Sequence, residues 1–171
     1  MAVEGASMDR AEGRLADLYL IHAPRATSLA YLLTGDPDLA RDLAQDAFMR
    51  VAGRFRHLRS PDAFGSYLRR TVVNLAKNHF RRARLERAYI ASAGGLRTEP
   101  DDLETVERRD ALWRLLAALP FRQRAALVLR YYEDLSEAEV ADAMGCSVHA
   151  VNALVGRGLR GLRSYLGGGH E

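Results

Sequence analysis

The stretch that decides the fold is SEAEVADAMGCSVHAV, residues 136–151. Ala141, Gly145 and Val151 occupy in it the positions that a helix-turn-helix requires. A small residue at 141 lets two helices approach closely, glycine at 145 takes the left-handed turn, and the valine is buried between the helices. The spacing therefore predicts two short helices joined by a tight turn.

Both helices of this motif have a start signal in the sequence. Ser136 and Glu139 form a capping box, in which each side chain satisfies a free backbone N–H of the other residue. Ser147 is placed to cap the second helix, whose buried side contains Val151. The helical period turns the opposite side outward. The polar residues of the motif that we expect to be available to a ligand are Ser147, His149, Asn152, Arg157 and Arg160.

The second helix of the motif carries positive charges and no negative ones. No acidic residue occurs from Gly145 to Leu166, whereas Arg157, Arg160 and Arg163 recur at every third position. Such a face suits the phosphate backbone of DNA. The alternative is a plain helical hairpin with a solvated basic face.

The composition excludes several classes of protein. Cys146 is the only cysteine, so the chain has no internal disulfide, and no Cys/His cluster has the spacing of zinc ligands. We find no nucleophile–base pair, paired carboxylates or glycine-rich phosphate loop, so we expect no enzymatic activity, metal or cofactor. No stretch approaches the roughly 20 apolar residues of a membrane span, and the N-terminus lacks a basic segment before an apolar run. We therefore expect a cytoplasmic protein without membrane insertion.

The first half of the chain also has helical periodicity. Apolar residues recur at helical spacing over residues 9–35, with Pro24 expected to bend or break the helix. Asp36-Pro37 combines a cap with a favoured first helical position, and Ser60-Pro61 repeats this signal before a third helix that reaches about Arg84. No stretch shows convincingly the alternation of apolar and polar residues that is typical of a β-strand, so the sequence predicts an all-α fold.

A segment in the middle of the chain interrupts the periodicity. Residues 88–104 turn acidic and contain glycine and proline, which is typical of a linker. The sequence therefore predicts two small helical domains, 9–87 and 105–166, joined by a flexible acidic linker. The second domain contains the helix-turn-helix.

The stretch from Arg50 to Arg87 is strongly basic. It holds eleven Arg or Lys residues against two acidic ones, an excess of nine positive charges. Aromatic and amide side chains are interleaved with these cations, as a surface needs if it holds separated strands and stacks unpaired bases. The alternative is a solvated basic helix face, and we expect Phe64 and Phe80 to be buried in either case.

An acidic and polar face precedes this basic stretch. Its residues, at helical spacing, are Asp38, Asp42, Gln45 and Asp46. DNA would repel such a face, whereas a protein with a basic surface would bind it. We therefore interpret it as a docking face, with a solvated helix face as the alternative.

Taken together, these segments resemble the extracytoplasmic-function sigma factors of bacteria, in particular the actinobacterial sigma-E-like type. The motifs that carry the resemblance are YLLTGD (31–36), ARDLAQDAF (40–48), YLRR (67–70), NLA (74–76), LPFRQR (119–124), GCS (145–147) and RGL (157–159). They cover nearly the whole chain in the family's order, with a linker where the family has one.

The resemblance implies a sigma factor that binds core RNA polymerase, recognises promoter DNA and assists initiation. Asp42, Gln45 and Asp46 would then bind the polymerase. The helix-turn-helix residues given above would contact the minus-thirty-five element. The residues implied at the minus-ten element are Tyr67, Arg69, Arg70, Asn74, Lys77, Asn78, Arg81 and Arg82. Because such factors are often held inactive by an anti-sigma factor, that protein is a candidate partner.

The chain departs from the family pattern at two places. HAVNA, residues 149–153, stands where Gly-Thr-Val-Lys-Ser is usual, so a hydroxyl and a positive charge are lost. This predicts weaker or altered binding to the upstream element. Tyr67 stands where the family usually has tryptophan, which keeps an aromatic ring with a polar tip.

Two other classes of protein remain open from the residues. One is a dimeric helix-turn-helix transcription regulator that acts without polymerase docking, which a palindromic site would favour. The other is a nucleic-acid enzyme or adaptor with a basic helical domain, which metal-dependent activity would reveal.

Overall fold

The computed structural model describes residues 2–54, 62–93 and 111–167. In chain order its helices are α1 Ala2–Thr34, α2 Pro37–Gly53, α3 Asp62–Ser92, α4 Ala111–Ala117, α5 Phe121–Leu127, α6 Glu137–Met144 and α7 Val148–Gly167. A π-helical turn over Val128–Tyr132 follows α5 directly. These residues contain no β-strand, so the predicted all-α class is confirmed.

Helices α1 to α3 form the first domain. The start of α2 is as predicted, because the Asp36 carboxylate accepts hydrogen bonds from the backbone N–H groups of Asp38 (2.9 Å) and Leu39 (3.1 Å). Apolar side chains from all three helices then fill one core. Its largest fully buried side chains are Leu29, Leu33, Phe64 and Val72.

Helix α1 does not break at Pro24, which was one of the two outcomes predicted there. The helix continues through this proline without a break. A proline removes the hydrogen bond to the carbonyl four residues earlier, here that of Leu20. Both residues are exposed, so water can take the place of the lost N–H.

Helix α3 is longer than predicted. It continues past Arg84 to Ser92 and takes in the first five residues of the predicted linker 88–104. The side chains near its end are exposed, so no buried apolar period marks them, yet they are mostly good helix formers. The predicted linker beyond Ala93, like the Ser60-Pro61 signal, lies outside the described residues.

Helices α4 to α7 form the second domain and contain the helix-turn-helix. Ser136 donates its backbone N–H to the Glu139 carboxylate (2.8 Å), and Glu139 donates its own to the Ser136 hydroxyl (3.3 Å), so the capping box is confirmed. Gly145 takes the left-handed conformation with φ of 62°, and Val151 is fully buried. The predicted helix-turn-helix is therefore present over α6 and α7.

The two domains contact each other in two regions. The indole of Trp113 on α4 lies against Gly35, at the turn between α1 and α2. Helix α6 lies along α3, where Arg70 forms an ion pair with Asp142 (3.3 Å). None of the described helices is long and apolar enough to cross a membrane.

Candidate nucleic-acid interfaces

The first candidate interface is a cavity between α2 and α3. Tyr67, Asn74 and Asn78, three of the predicted minus-ten residues, lie on one face of α3 because they are seven and four residues apart. With Arg50 and Arg54 at the end of α2 they line a cavity of about 670 Å³, which we call the α2–α3 cavity. The ring of Tyr67 is half exposed, so it can stack on a planar ligand.

Sequence reasoning did not assign Arg50 and Arg54 to a site. They are one helical turn apart at the end of α2, within the basic stretch, and this spacing was the signal that could have found them. The Asp46 carboxylate accepts hydrogen bonds from Arg50 Nε (2.9 Å) and Nη2 (3.0 Å). These bonds raise the pKa of the Arg50 guanidinium above its ordinary value.

The other cations predicted at the minus-ten element do not all share this location. Arg70, Lys77, Arg81 and Arg82 are exposed along α3. Arg69 lies on another face of the helix, where it donates to the Ser66 hydroxyl (3.3 Å) and lines a groove with Glu139 and Asp142 of α6. The structure therefore separates Arg69 from the α2–α3 cavity.

The second candidate interface is the outer face of α7. His149, Asn152, Arg157 and Arg160 are all exposed, while Val151 and Leu154 on the opposite side are buried. Ser147 is also exposed, and its hydroxyl accepts the backbone N–H of Ala150 (3.1 Å), so it caps the helix as predicted. The start of α7 therefore presents one imidazole and one amide to solvent, with two guanidinium groups farther along the helix.

The predicted docking face on α2 is present but less negative than the sequence suggests. Asp42, Gln45 and Asp46 are exposed, and the opposite side of the helix is buried against α1 and α3. Arg50 neutralises Asp46, and Arg41 forms an ion pair with Asp38. Asp42 thus becomes the most informative position on this face.

Metal ligation has no support in the described part of the chain. No group of three or more His, Cys, Asp or Glu side chains there could hold a metal ion. The single cysteine, Cys146, lies partly buried in the turn of the helix-turn-helix.

Comparisons with known proteins agree with this arrangement. The sigma-70 region 2 family matches residues 18–86, and the sigma-70 region 4 family matches residues 109–162. An RNA polymerase sigma-E factor from Streptomyces antibioticus is 33% identical over 134 residues, which cover 78% of this chain and 74% of that protein. An ECF RNA polymerase sigma-E factor from Escherichia coli is 31% identical over 140 residues, 74% of this chain and 72% of that protein.

A solved structure supports the fold. The sigma factor RpoE of Bartonella quintana, in its complex with the anti-sigma factor NepR, matches with a TM-score of 0.68 over 86% of this chain and 93% of that one. The sequence identity is 22%, so this likeness shows the fold.

A chain that carries sigma-70 regions 2 and 4 in this order is a transcription initiation factor rather than a dimeric regulator. It belongs to the extracytoplasmic-function (ECF) family of RNA polymerase sigma factors. Members of this family catalyse no reaction themselves and act by giving RNA polymerase its promoter specificity. The resemblance that the sequence motifs indicated is therefore confirmed.

Proposed function

We propose that the chain directs core RNA polymerase to promoters with its two candidate interfaces in separate roles. The α2–α3 cavity and the cations along α3 hold the minus-ten element, and the outer face of α7 contacts the minus-thirty-five element. The observation that carries this proposal is the cavity itself, since it brings an aromatic ring, two amides and two arginines to one place. Stacking, base-edge recognition and phosphate binding need these three kinds of group.

Within the cavity, the side chains differ in what they can do. Tyr67 offers a ring on which an unpaired base can stack, and the amides of Asn74 and Asn78 can both donate to and accept from a base edge. Arg50, Arg54 and the exposed cations of α3 supply sequence-independent attraction for phosphates. Because Arg69 lines the groove against α6 and Arg70 is paired with Asp142 of that helix, we assign these two to the contact between domains rather than to the cavity.

On α7 the order of the residues suggests a division of labour. His149 and Asn152 lie in the first turns, and the N-terminal part of a recognition helix is the part that reaches base edges. Arg157 and Arg160 lie more than a turn later, where they would meet the DNA backbone. Ser147 contributes through the cap that orders the start of the helix.

We propose that core RNA polymerase binds the exposed face of α2 around Asp42, Gln45 and Asp46. We also propose that the factor works in the cytoplasm and that the first domain extends to Ser92 rather than to residue 87. The Bartonella sigma factor in the matching structure is held by an anti-sigma factor. A protein of that kind is a proposed partner of this chain.

The test of this function is binding to purified core RNA polymerase. We expect Asp42→Arg to weaken the complex by tenfold or more, on the order of 1.4 kcal/mol. Asp17→Arg is the matched control, because it makes the same charge change at an exposed position of α1. Equal affinities of these two variants would refute the docking face. Failure of the wild-type chain to bind core polymerase at all would refute the function.

A further inference from the structure

The three acidic side chains of α6 have three different partners. The Glu139 carboxylate is held in the capping box by Ser136, and the Asp142 carboxylate pairs with an arginine of α3. Glu137, the first residue of α6, contacts α7 instead, since its Oε2 accepts a hydrogen bond from Asn152 Nδ2 (3.2 Å). Helix α6 therefore places one carboxylate beside the outward-facing residues of the recognition helix.

The Glu137 carboxylate can accept further hydrogen bonds. It is exposed, and it forms no ion pair with any residue that the structure describes. An ionised carboxylate has about four lone-pair sites, of which Asn152 uses one. The related factors usually have lysine where this chain has Asn152, and a lysine so close would neutralise the carboxylate. The asparagine leaves the negative charge of Glu137 uncompensated.

The position of Glu137 matches the part of α7 that reaches base edges. Asn152 and His149 are three residues apart in the first turns of α7, and both are exposed. The polar ends of Glu137 and Asn152 are 3.2 Å apart, and stacked base pairs are about 3.4 Å apart along the DNA axis. A Glu137 carboxylate is therefore within reach of the base pair next to the one that Asn152 contacts.

The two side chains can bind bases at the same time. An asparagine amide has two N–H donors and one acceptor oxygen, and only one of these donors is used by Glu137. The second N–H and Oδ1 are the groups with which asparagine binds adenine in two places. Asn152 can therefore contact a base whether or not its bond to Glu137 is kept.

The chemistry of a carboxylate selects the base that it can contact. An ionised carboxylate accepts hydrogen bonds and donates none. In the major groove guanine presents the acceptors N7 and O6, thymine presents the acceptor O4, and adenine presents an acceptor beside its amino group. Cytosine presents its N4 amino donor with no acceptor on its own edge. Cytosine therefore fits Glu137, and guanine in its place would repel the carboxylate.

We propose that Glu137 is a second base-reading residue, which accepts a hydrogen bond from cytosine N4 in the base pair next to the one that Asn152 contacts. This rests on the proposed function, in which the outer face of α7 contacts the minus-thirty-five element. The carboxylate also repels phosphates, so it lowers the affinity for DNA in general. In exchange it rejects upstream sequences that present an acceptor at this place.

The proposal is tested by selection from a library of upstream elements with a constant minus-ten element. The selecting protein is the holoenzyme formed from core RNA polymerase and the full-length chain. Wild type should enrich cytosine next to the base pair that responds to Asn152→Ala. Glu137→Ala should reduce this enrichment by about fivefold or more. Glu137→Gln should shift the preference toward adenine, because an amide both donates and accepts.

The matched control is Asp142→Asn. It removes one negative charge from the same helix, on the side that pairs with α3 rather than α7. Its selected upstream sequences should equal those of wild type. Affinities for two duplexes, with cytosine or guanine at the selected place, complete the test. Glu137→Ala should bind the guanine duplex more tightly than wild type does, and circular dichroism verifies that each variant is folded.

The outcomes separate this inference from the proposed function. Identical upstream preferences of Glu137→Ala and wild type would overturn base reading by Glu137. A change confined to the base pair that Asn152 contacts would also overturn it, because Glu137 would then only position the amide. A wild-type holoenzyme with no upstream preference at all would instead refute the proposed role of α7, and binding of core polymerase by α2 would be unaffected.

Discussion

Asn152 Nδ2 donates a hydrogen bond to Glu137 Oε2 (3.2 Å), which links the recognition helix α7 to the first helix of the motif. Both side chains are exposed, so water competes for each partner and the bond contributes little net stability. Breaking this hydrogen bond so that the Asn152 amide can bind DNA therefore costs little free energy. A base contact by this asparagine remains compatible with the bond seen in the free chain.

The first prediction concerns base recognition by Asn152. Asn152→Ala should relax the preference at one base pair of the minus-thirty-five element, because an asparagine amide pairs in two places with adenine and discriminates by about 1–3 kcal/mol. A promoter library selected with each protein and core polymerase measures the preference. Identical upstream preferences of the two proteins would end the direct-readout role of Asn152.

Arg157→Ala is the comparison variant for that experiment. Its guanidinium is exposed later on the same helix, and we expect it to bind phosphate. The substitution should lower affinity for all upstream sequences alike without changing their order. A changed order would mean that Arg157 also contacts bases.

The second prediction concerns the capping box at the start of α6. Ser136→Ala removes the hydroxyl that accepts the Glu139 N–H, and should lower the free energy of unfolding by about 1 kcal/mol. Urea denaturation followed by circular dichroism measures this change. Ser164→Ala, at an exposed position inside α7, is the control and should have a smaller effect. Equal losses in the two variants would show that the cap adds nothing.

The third prediction is a pH dependence at the same cap. Hydrogen bonds from the Ser136 side chain and backbone lower the pKa of the Glu139 carboxyl below its ordinary 4.5. A carboxyl with a lowered folded-state pKa stabilises the fold above its unfolded-state pKa and loses that effect as the pH falls through the folded value. The stability difference between wild type and Glu139→Gln should therefore shrink below about pH 4.5. In a Ser136→Ala background the difference at neutral pH should be reduced, because the hydroxyl donor is lost and only the backbone N–H of residue 136 remains. A difference unchanged there would contradict the mechanism.

The parts of the fold that could be predicted from sequence are those set by local signals. Asp36 and Pro37 begin α2, Ser136 and Glu139 begin α6, and Gly145 turns the chain, because each of these effects acts within four residues. The long α3 was underestimated for the opposite reason. The side chains of its last two turns bury little apolar surface. These turns are helical because their residues have good helix propensity, and no periodic row of apolar residues marks them in the sequence.

What the sequence could not supply are contacts between distant residues. Arg124 belongs to a motif that marks the second domain, yet nothing in its neighbourhood indicates that it is buried and bonded to Leu33, 91 residues earlier. The face on which Arg69 lies is set by helix period, but the presence of α6 on that face is not. The candidate site on α3 was therefore predicted as one surface, whereas the structure divides it between a cavity and a domain contact.

The fourth prediction separates the phosphate-binding residues of α3 from those that contact bases. Arg81 is exposed on α3, and Asn74 lines the α2–α3 cavity. Each phosphate contact to a single strand contributes about 0.7 to the slope of log affinity against log salt concentration. Arg81→Ala should therefore weaken binding of all minus-ten sequences and reduce this slope by about that amount.

Asn74→Ala should behave differently, because an uncharged amide releases no counterions when it binds. We expect an unchanged salt slope together with a changed preference among single-stranded minus-ten sequences, measured by competition in the holoenzyme. Lys77→Ala, an exposed cation near the middle of α3, should follow Arg81→Ala rather than Asn74→Ala. If all three substitutions reduce the salt dependence of binding equally, the cavity holds phosphate and not a base. If none of them reduces the salt dependence of binding, the exposed cations of α3 do not contact the DNA backbone and the interface lies elsewhere on the first domain.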